Sequence, residues 1–136
     1  MGTGGKRLRW AAGIMLALGA GHLVLATAIA ADSVAGWADR GVWAAVPLLP
    51  EAGEPTVETV RNSAAFWAGP GSFAVPLILL GGLTWHLARR GVPVPAGIGW
   101  GLAAWCLLGG ILLVPSPYFA GVAAGALIIS AAREHS

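Results

Sequence analysis

Charge is what this sequence lacks. Lys and Arg number 8 and Asp and Glu 6 in 136 residues, or 10%, where a soluble domain carries about 25%. So little polar surface excludes an ordinary water-soluble monomer. Disorder is excluded as well, because 57% of the residues are hydrophobic and disordered chains are poor in apolar residues. Cysteine is nearly missing: Cys106 stands alone. An intramolecular disulfide, a paired redox centre and a thiolate zinc site are therefore excluded, and Cys106 reads as a small buried hydrophobe. Histidine is sparse and scattered. His86 is separated from His22 by about 18 Å of depth at the helical rise, and His135 is in the tail, so no two share a metal or a haem iron. No metal or cofactor is expected. The net charge of +2 is no nucleic-acid signal, since no stripe of Lys and Arg alternates with aromatics.

What is present is apolar length. Mean hydropathy is +0.74, and the chain is sized for one domain, 1–136. A spanning helix needs about 20 apolar residues. Residues 10–31, 64–88 and 96–114 supply them, and 118–132 is shorter and spans with help from its flanks. Lys6, Arg7 and Arg9 precede the first run, Arg89 and Arg90 separate the second from the third, and Arg133 follows the fourth. The outer loop, 32–62, sets Arg40 and Arg61 against Asp32, Asp39, Glu51, Glu54 and Glu58. Basic residues stay on the cytoplasmic side, so both termini are expected in the cytoplasm. Trp10, Trp85 and Trp100 lie near the cytoplasmic ends, at headgroup depth. The fold expected is all-α: an integral membrane, antiparallel four-helix transmembrane bundle with a short outer interfacial helix. The basic start and Ala28-Ile29-Ala30 also resemble a secretory leader. The apolar core is about 22 residues, however, against the 7–15 usual for leaders, and a retained span is the expectation.

Within the outer loop, Val34, Trp37, Ala38, Val42 and Ala45 fall at helical spacing. This predicts an interfacial helix over 33–46, capped by Asp32-Ser33 and ended by Pro47 and Pro50. Glu51 to Pro55 reads as a turn. From Thr56 the pattern is helical again, with Pro55 just before its start. The second helix is thus expected to begin outside the membrane and to run about 33 residues, roughly 50 Å. Small residues at Gly13, Ala17 and Gly21, at Gly97 and Gly101, and at Gly121 and Gly125 are expected helix contacts.

His22 is the only ionisable residue deep within a span, about 18 Å from Trp10 along the helix. A polar group at that depth needs a partner and marks a functional site by default. Pro70 and Pro76 cannot donate to the carbonyls of Phe66 and Ser72, so those carbonyls are free to receive one. The expected cluster is His22, Ser72 and the freed carbonyls, with Trp67 or Tyr118 nearby. The plainer alternative is a histidine that bridges two helices. Glu58, Arg61 and Asn62 form a polar rim at the outer mouth, with Glu58 and Arg61 spaced to pair. Phe66 and Trp67 lie below it, where an apolar ligand would enter or where an interfacial aromatic belt would sit. His22 is thus the candidate catalytic residue. His22, Phe66, Trp67, Ser72, Tyr118, Asn62, Arg61 and Glu58 are the candidate ligand-binding residues.

Size and hydropathy resemble the small multidrug transporters, but their coupling glutamate has no counterpart, since the first span holds no carboxylate. A quinone-linked disulfide enzyme fails on cysteine count. A closer resemblance rests on Gly21-His22-Leu23-Val24, on Ala65-Phe66-Trp67, on Pro93-Val94-Pro95 leading into Gly99-Trp100-Gly101-Leu102, and on Pro115-Ser116-Pro117-Tyr118. In their order and spacing the chain resembles the domain-of-unknown-function family 6463 over nearly its whole length. It departs from that pattern at the last turn, with Ser116-Pro117-Tyr118-Phe119 where relatives favour Ser-Gly-Phe-Trp. The resemblance implies a bacterial plasma-membrane protein of four helices and no particular activity. Three functions are compatible with the residues. The first is binding of a hydrophobic small molecule or lipid, or service as a membrane partner of another protein. The second is a membrane-embedded isomerase or cyclase of an apolar substrate, with His22 as general acid or base. The third is a small exporter working as a homo-oligomer.

Overall fold

No proline occurs before Pro47, and Ala, Leu, Met and Gly fill the first apolar run. Nothing there interrupts the backbone ladder, and α1 extends over Thr3–Ile29. The computed structural model describes residues 3–40, 46, 56–113 and 116–134. Among them the chain is all-α, with six helices and no strand. By length and composition α1 is long and apolar enough to cross a membrane.

The next helix, α2 (Ala31–Arg40), follows almost without a gap. The Ala30 N–H donates to Ala26 and the Val34 N–H to Ala30, both at 3.0 Å, so hydrogen bonding carries through the junction. Asp32 therefore sits in the first turn of α2, where it complements the helix dipole, instead of capping a helix that starts after it. The expected continuation through Val42 and Ala45, the stop at Pro47 and Pro50 and the turn from Glu51 to Pro55 lie outside the described residues.

A third helix, α3 (Val57–Ala68), opens at Thr56, whose Oγ1 accepts from the Thr59 N–H at 3.2 Å. The expected single helix to Ala88 is instead two. A turn at residues 69–73 separates α3 from α4 (Ala74–Arg90). Pro70 removes the donor that would serve the Phe66 carbonyl, and the chain tightens so that the Gly71 N–H takes that carbonyl at 2.8 Å. The Ser72 N–H then turns to Gly69 at 3.0 Å, and Ser72 Oγ accepts from the Ala74 N–H at 3.2 Å to start α4. Glycine is required at 71, where a Cβ would come within 2.7 Å of the Phe66 ring. The last two helices, α5 (Ala96–Leu112) and α6 (Tyr118–Arg133), match their expected runs closely.

By internal packing the chain divides into two units, residues 1–19 with 76–136 and residues 20–75. In the first, α6 runs antiparallel to α1. Arg7 pairs with Glu134, which also accepts from Thr3 Oγ1 at 2.8 Å. Met15, Ala12 and Leu16 of α1 close over Gly81 of α4, where a Cβ would meet them at 3.0–3.3 Å. The α5 and α6 backbones come close at Gly99 and Gly125: a Cβ on Gly99 would reach the Gly125 carbonyl oxygen at 2.7 Å. Cys106 is buried against Gly121, as a small hydrophobe should be. Of the three expected small-residue contacts only the α6 pair is used this way. Gly97, Gly101, Gly13 and Gly21 have no neighbour within 4 Å of a Cβ. In the second unit, α2 packs on α3, with Trp37 tilted against Phe66 at 6.4 Å between ring centroids.

Candidate functional site

Two helix faces in the second unit build a groove. On α1, His22, Leu25, Ala26 and Ile29 are spaced i, i+3, i+4, i+7 and so line one stripe. On α3, Arg61, Ala64, Ala65 and Ala68 repeat the same spacing. Between them lies a half-open cavity of about 550 Å³, completed by Ala30, Asp32 and Ser33. It is open because five of its eleven lining residues are alanine, too small to fill the space between two backbones.

The polar groups are segregated to the ends. At one end His22 Nε2–H donates to the Ala68 carbonyl at 2.7 Å. That carbonyl is available because α3 stops there. In a continuing helix it would accept from the Ser72 N–H, which has turned to Gly69 instead. The donation fixes the proton on Nε2 and leaves Nδ1 as the acceptor of the neutral ring. At the other end stand Arg61 and Asp32, separated from the His22 end by about 10 Å, the rise of the seven residues from Arg61 to Ala68. Arg61 forms no ion pair among the described residues.

The expected cluster is thus assembled only in part. His22 has a carbonyl partner on α3, but it is Ala68 and neither Phe66 nor Ser72, because tightening of the turn satisfied Phe66 first. Ser72 is spent on the α4 cap. Phe66 lies between Trp37 and Trp67, meeting Trp67 edge-on at 5.2 Å. Trp67 is 58% exposed and outside the groove lining. Asn62 is buried in α3 and Glu58 lies in its first turn; neither lines the groove. Tyr118 belongs to the other unit, its ring laid over Gly109. The lining alanines and Asp32 are not among the ligand-binding residues expected from the sequence, although alanine recurs at i+3, i+4 and i+7 after Arg61. No group of His, Cys, Asp and Glu suited to a metal ion occurs among the described residues.

The profile of a family of unknown function, DUF6463, matches residues 6–135. No curated protein and no solved structure matches the chain.

Proposed function

The chain belongs to the DUF6463 family, and we propose that it is a multi-pass membrane protein that holds a hydrophobic small molecule or lipid in the α1–α3 groove. The observation that carries this reading is the groove itself: apolar alanine, leucine and isoleucine walls with a hydrogen-bonding group at one end and a cation with a carboxylate at the other. A cavity of this size is within the range of small-molecule sites, about 300–1,000 Å³, which are mostly apolar with few polar groups. An amphiphile fits, with its apolar body between the alanines and its polar end at Arg61 and Asp32.

The membrane setting is supported by how residue sizes are distributed in the first unit. Small residues are inside: Ala11, Ala12 and Ala124 are fully buried. Many large apolar residues are outside, Leu108, Ile111 and Leu112 being 54–71% exposed, although Met15 and Ile128 are buried with the alanines. Helices in lipid pack through small residues because lipid offers no hydrophobic drive for burying large ones. The α3–α4 break is tolerated at membrane depth when its backbone groups are satisfied internally, and the bonds at Phe66, Gly69 and Ala68 do this. In this reading α1, α4, α5 and α6 form the antiparallel transmembrane bundle, both termini are cytoplasmic, and the groove opens in the outer half.

Ala64→Phe tests the site by filling the groove. The wild-type protein in detergent is expected to bind a fluorescent single-chain amphiphile, and the variant to bind it about tenfold or more weakly, since a phenyl on the groove wall takes up much of the space such a body occupies. Equal binding by the two proteins would remove the groove as the site. The second reading, an isomerase or cyclase, is favoured by one observation. Nε2 is committed to Ala68, so the neutral ring presents Nδ1 as a base.

A further inference from the structure

A second concave site lies on α4, within the first unit. Gly82, Trp85, His86, Arg89 and Arg90 follow the helical spacing i, i+3, i+4, i+7, i+8 and form one face with a shallow notch of about 540 Å³. Gly82 is open at one end of the notch, with nothing within 4 Å of where a Cβ would stand. Trp85, 41% exposed, stands beside it. No carboxylate lines the notch, and neither arginine forms an ion pair among the described residues. Nor are these arginines needed to finish the helix. Gly91, at φ 69°, closes α4 with backbone bonds from Val92 N–H to the Leu87 carbonyl at 3.0 Å and from Gly91 N–H to Ala88 at 3.4 Å. In this two-bond glycine stop the backbone itself satisfies the carbonyls that basic side chains often cap.

We propose that this notch binds the phosphate headgroup of an anionic phospholipid. The charge calls for an anion, and two guanidiniums suit the oxygens of a phosphate better than any point charge does. What selects a lipid over a free phosphate is the surface that continues from the notch. Leu79 and Leu83 are 68% and 55% exposed, so an acyl chain finds an open apolar path along α4 within about 16 Å of Arg90. Trp85 stands at the boundary between the two, where indoles favour the headgroup layer. The inference rests on the membrane reading above, with the notch at the cytoplasmic face, but not on the groove.

The test is lipid retention by the full chain in a neutral detergent, read by native mass spectrometry with phosphatidylglycerol and phosphatidylcholine offered together. The wild-type protein is expected to favour phosphatidylglycerol by about thirtyfold, as two basic residues at about 1 kcal/mol each near an anionic surface confer. Arg89→Gln with Arg90→Gln should abolish the preference, and Arg133→Gln should keep it. Gly82→Leu is the sharper variant, because it preserves every charge, occupies the notch and has open space for its Cβ. It should lose the preference too, and an undiminished preference in Gly82→Leu would overturn a built site in favour of diffuse positive charge. Equal retention of the two lipids by the wild type, or displacement of phosphatidylglycerol by millimolar inorganic phosphate, would also overturn the proposal. Resistance of the protein to alkaline extraction from membranes is measured alongside. It reports the membrane reading separately, so the two failures are distinguishable.

Discussion

His22 shows how far a single residue can be read. Its need for a partner follows from depth alone, and so does the search for one among carbonyls released by Pro70. Which carbonyl it finds does not follow, because that depends on how a Gly-Pro-Gly turn tightens. The Phe66 carbonyl is recaptured by Gly71 and the last carbonyl of α3 is left for the ring. Two variants separate its roles. His22→Gln keeps a donor and an acceptor and is expected to preserve both fold and ligand binding. His22→Leu loses an interhelical hydrogen bond, worth about 0.6 kcal/mol on average in a bilayer, and should lower the unfolding midpoint slightly while the helices stay assembled. If the protein is an enzyme, His22→Gln should instead be folded and inactive, since an amide exchanges no proton near neutral pH. Turnover and thermal unfolding of the same purified protein tell these apart. Full activity in the Gln variant would end the catalytic reading.

Among the elements, the starts of the last two helices are plain in the sequence and the faces are not. Pro95 and Pro117 mark the starts of α5 and α6 where the sequence places them. The inner face of α5 is another matter. Gly97, Gly99 and Gly101 all lie within one turn and a half, and spacing alone favours the pair four apart. The helix turns the middle one inward instead, against Gly125 and Ile129, while Gly97 and Gly101 stay open. Nothing in a run of glycines distinguishes these outcomes; the larger neighbours decide, because Leu102 and Cys106 share the buried stripe with Gly99. The prediction is a contrast. Gly99→Ala places a Cβ 2.7 Å from a backbone oxygen that cannot step aside, and should destabilise by about 1–3 kcal/mol, as overpacking does. Gly97→Ala meets nothing and should be neutral or stabilising by up to about 1 kcal/mol, the helix-propensity gain. Denaturant unfolding in micelles, followed by helical circular dichroism, gives both values. A Gly99→Ala protein as stable as the Gly97→Ala protein would place the α5–α6 seam elsewhere. The α3–α4 break was half-legible for a similar reason: proline predicts a disturbance, but only the fit of the Phe66 ring over Gly71 turns a bend into a stop.

At the scale of the whole molecule, charge placement and packing address the same question by separate routes. Lys6, Arg7, Arg9, Arg89, Arg90 and Arg133 lie at the ends of apolar runs, and by the positive-inside rule those ends are expected in the cytoplasm. Packing supplies a constraint that owes nothing to that rule. The first turns of α1 and the last turn of α6 are tied together by Arg7 and Thr3 on Glu134, and Arg7 Nη1 also reaches the Ser130 carbonyl at 3.5 Å. If α1 and α6 both cross a bilayer, they cross in opposite directions, and the two termini emerge on one side. Because α4 ends at Arg90 and α5 begins at Ala96 after a short link, the chain between them also stays on a single side. An even number of crossings follows, and the basic ends choose which side is inside. Reporter fusions at Gly2 and at Ser136, each active in only one compartment, should therefore both read cytoplasmic. Two outside signals would keep the bundle and invert it, contradicting the charge argument alone. One inside and one outside would break the even count, and the α1–α6 pairing through Glu134 would then have to be abandoned with it.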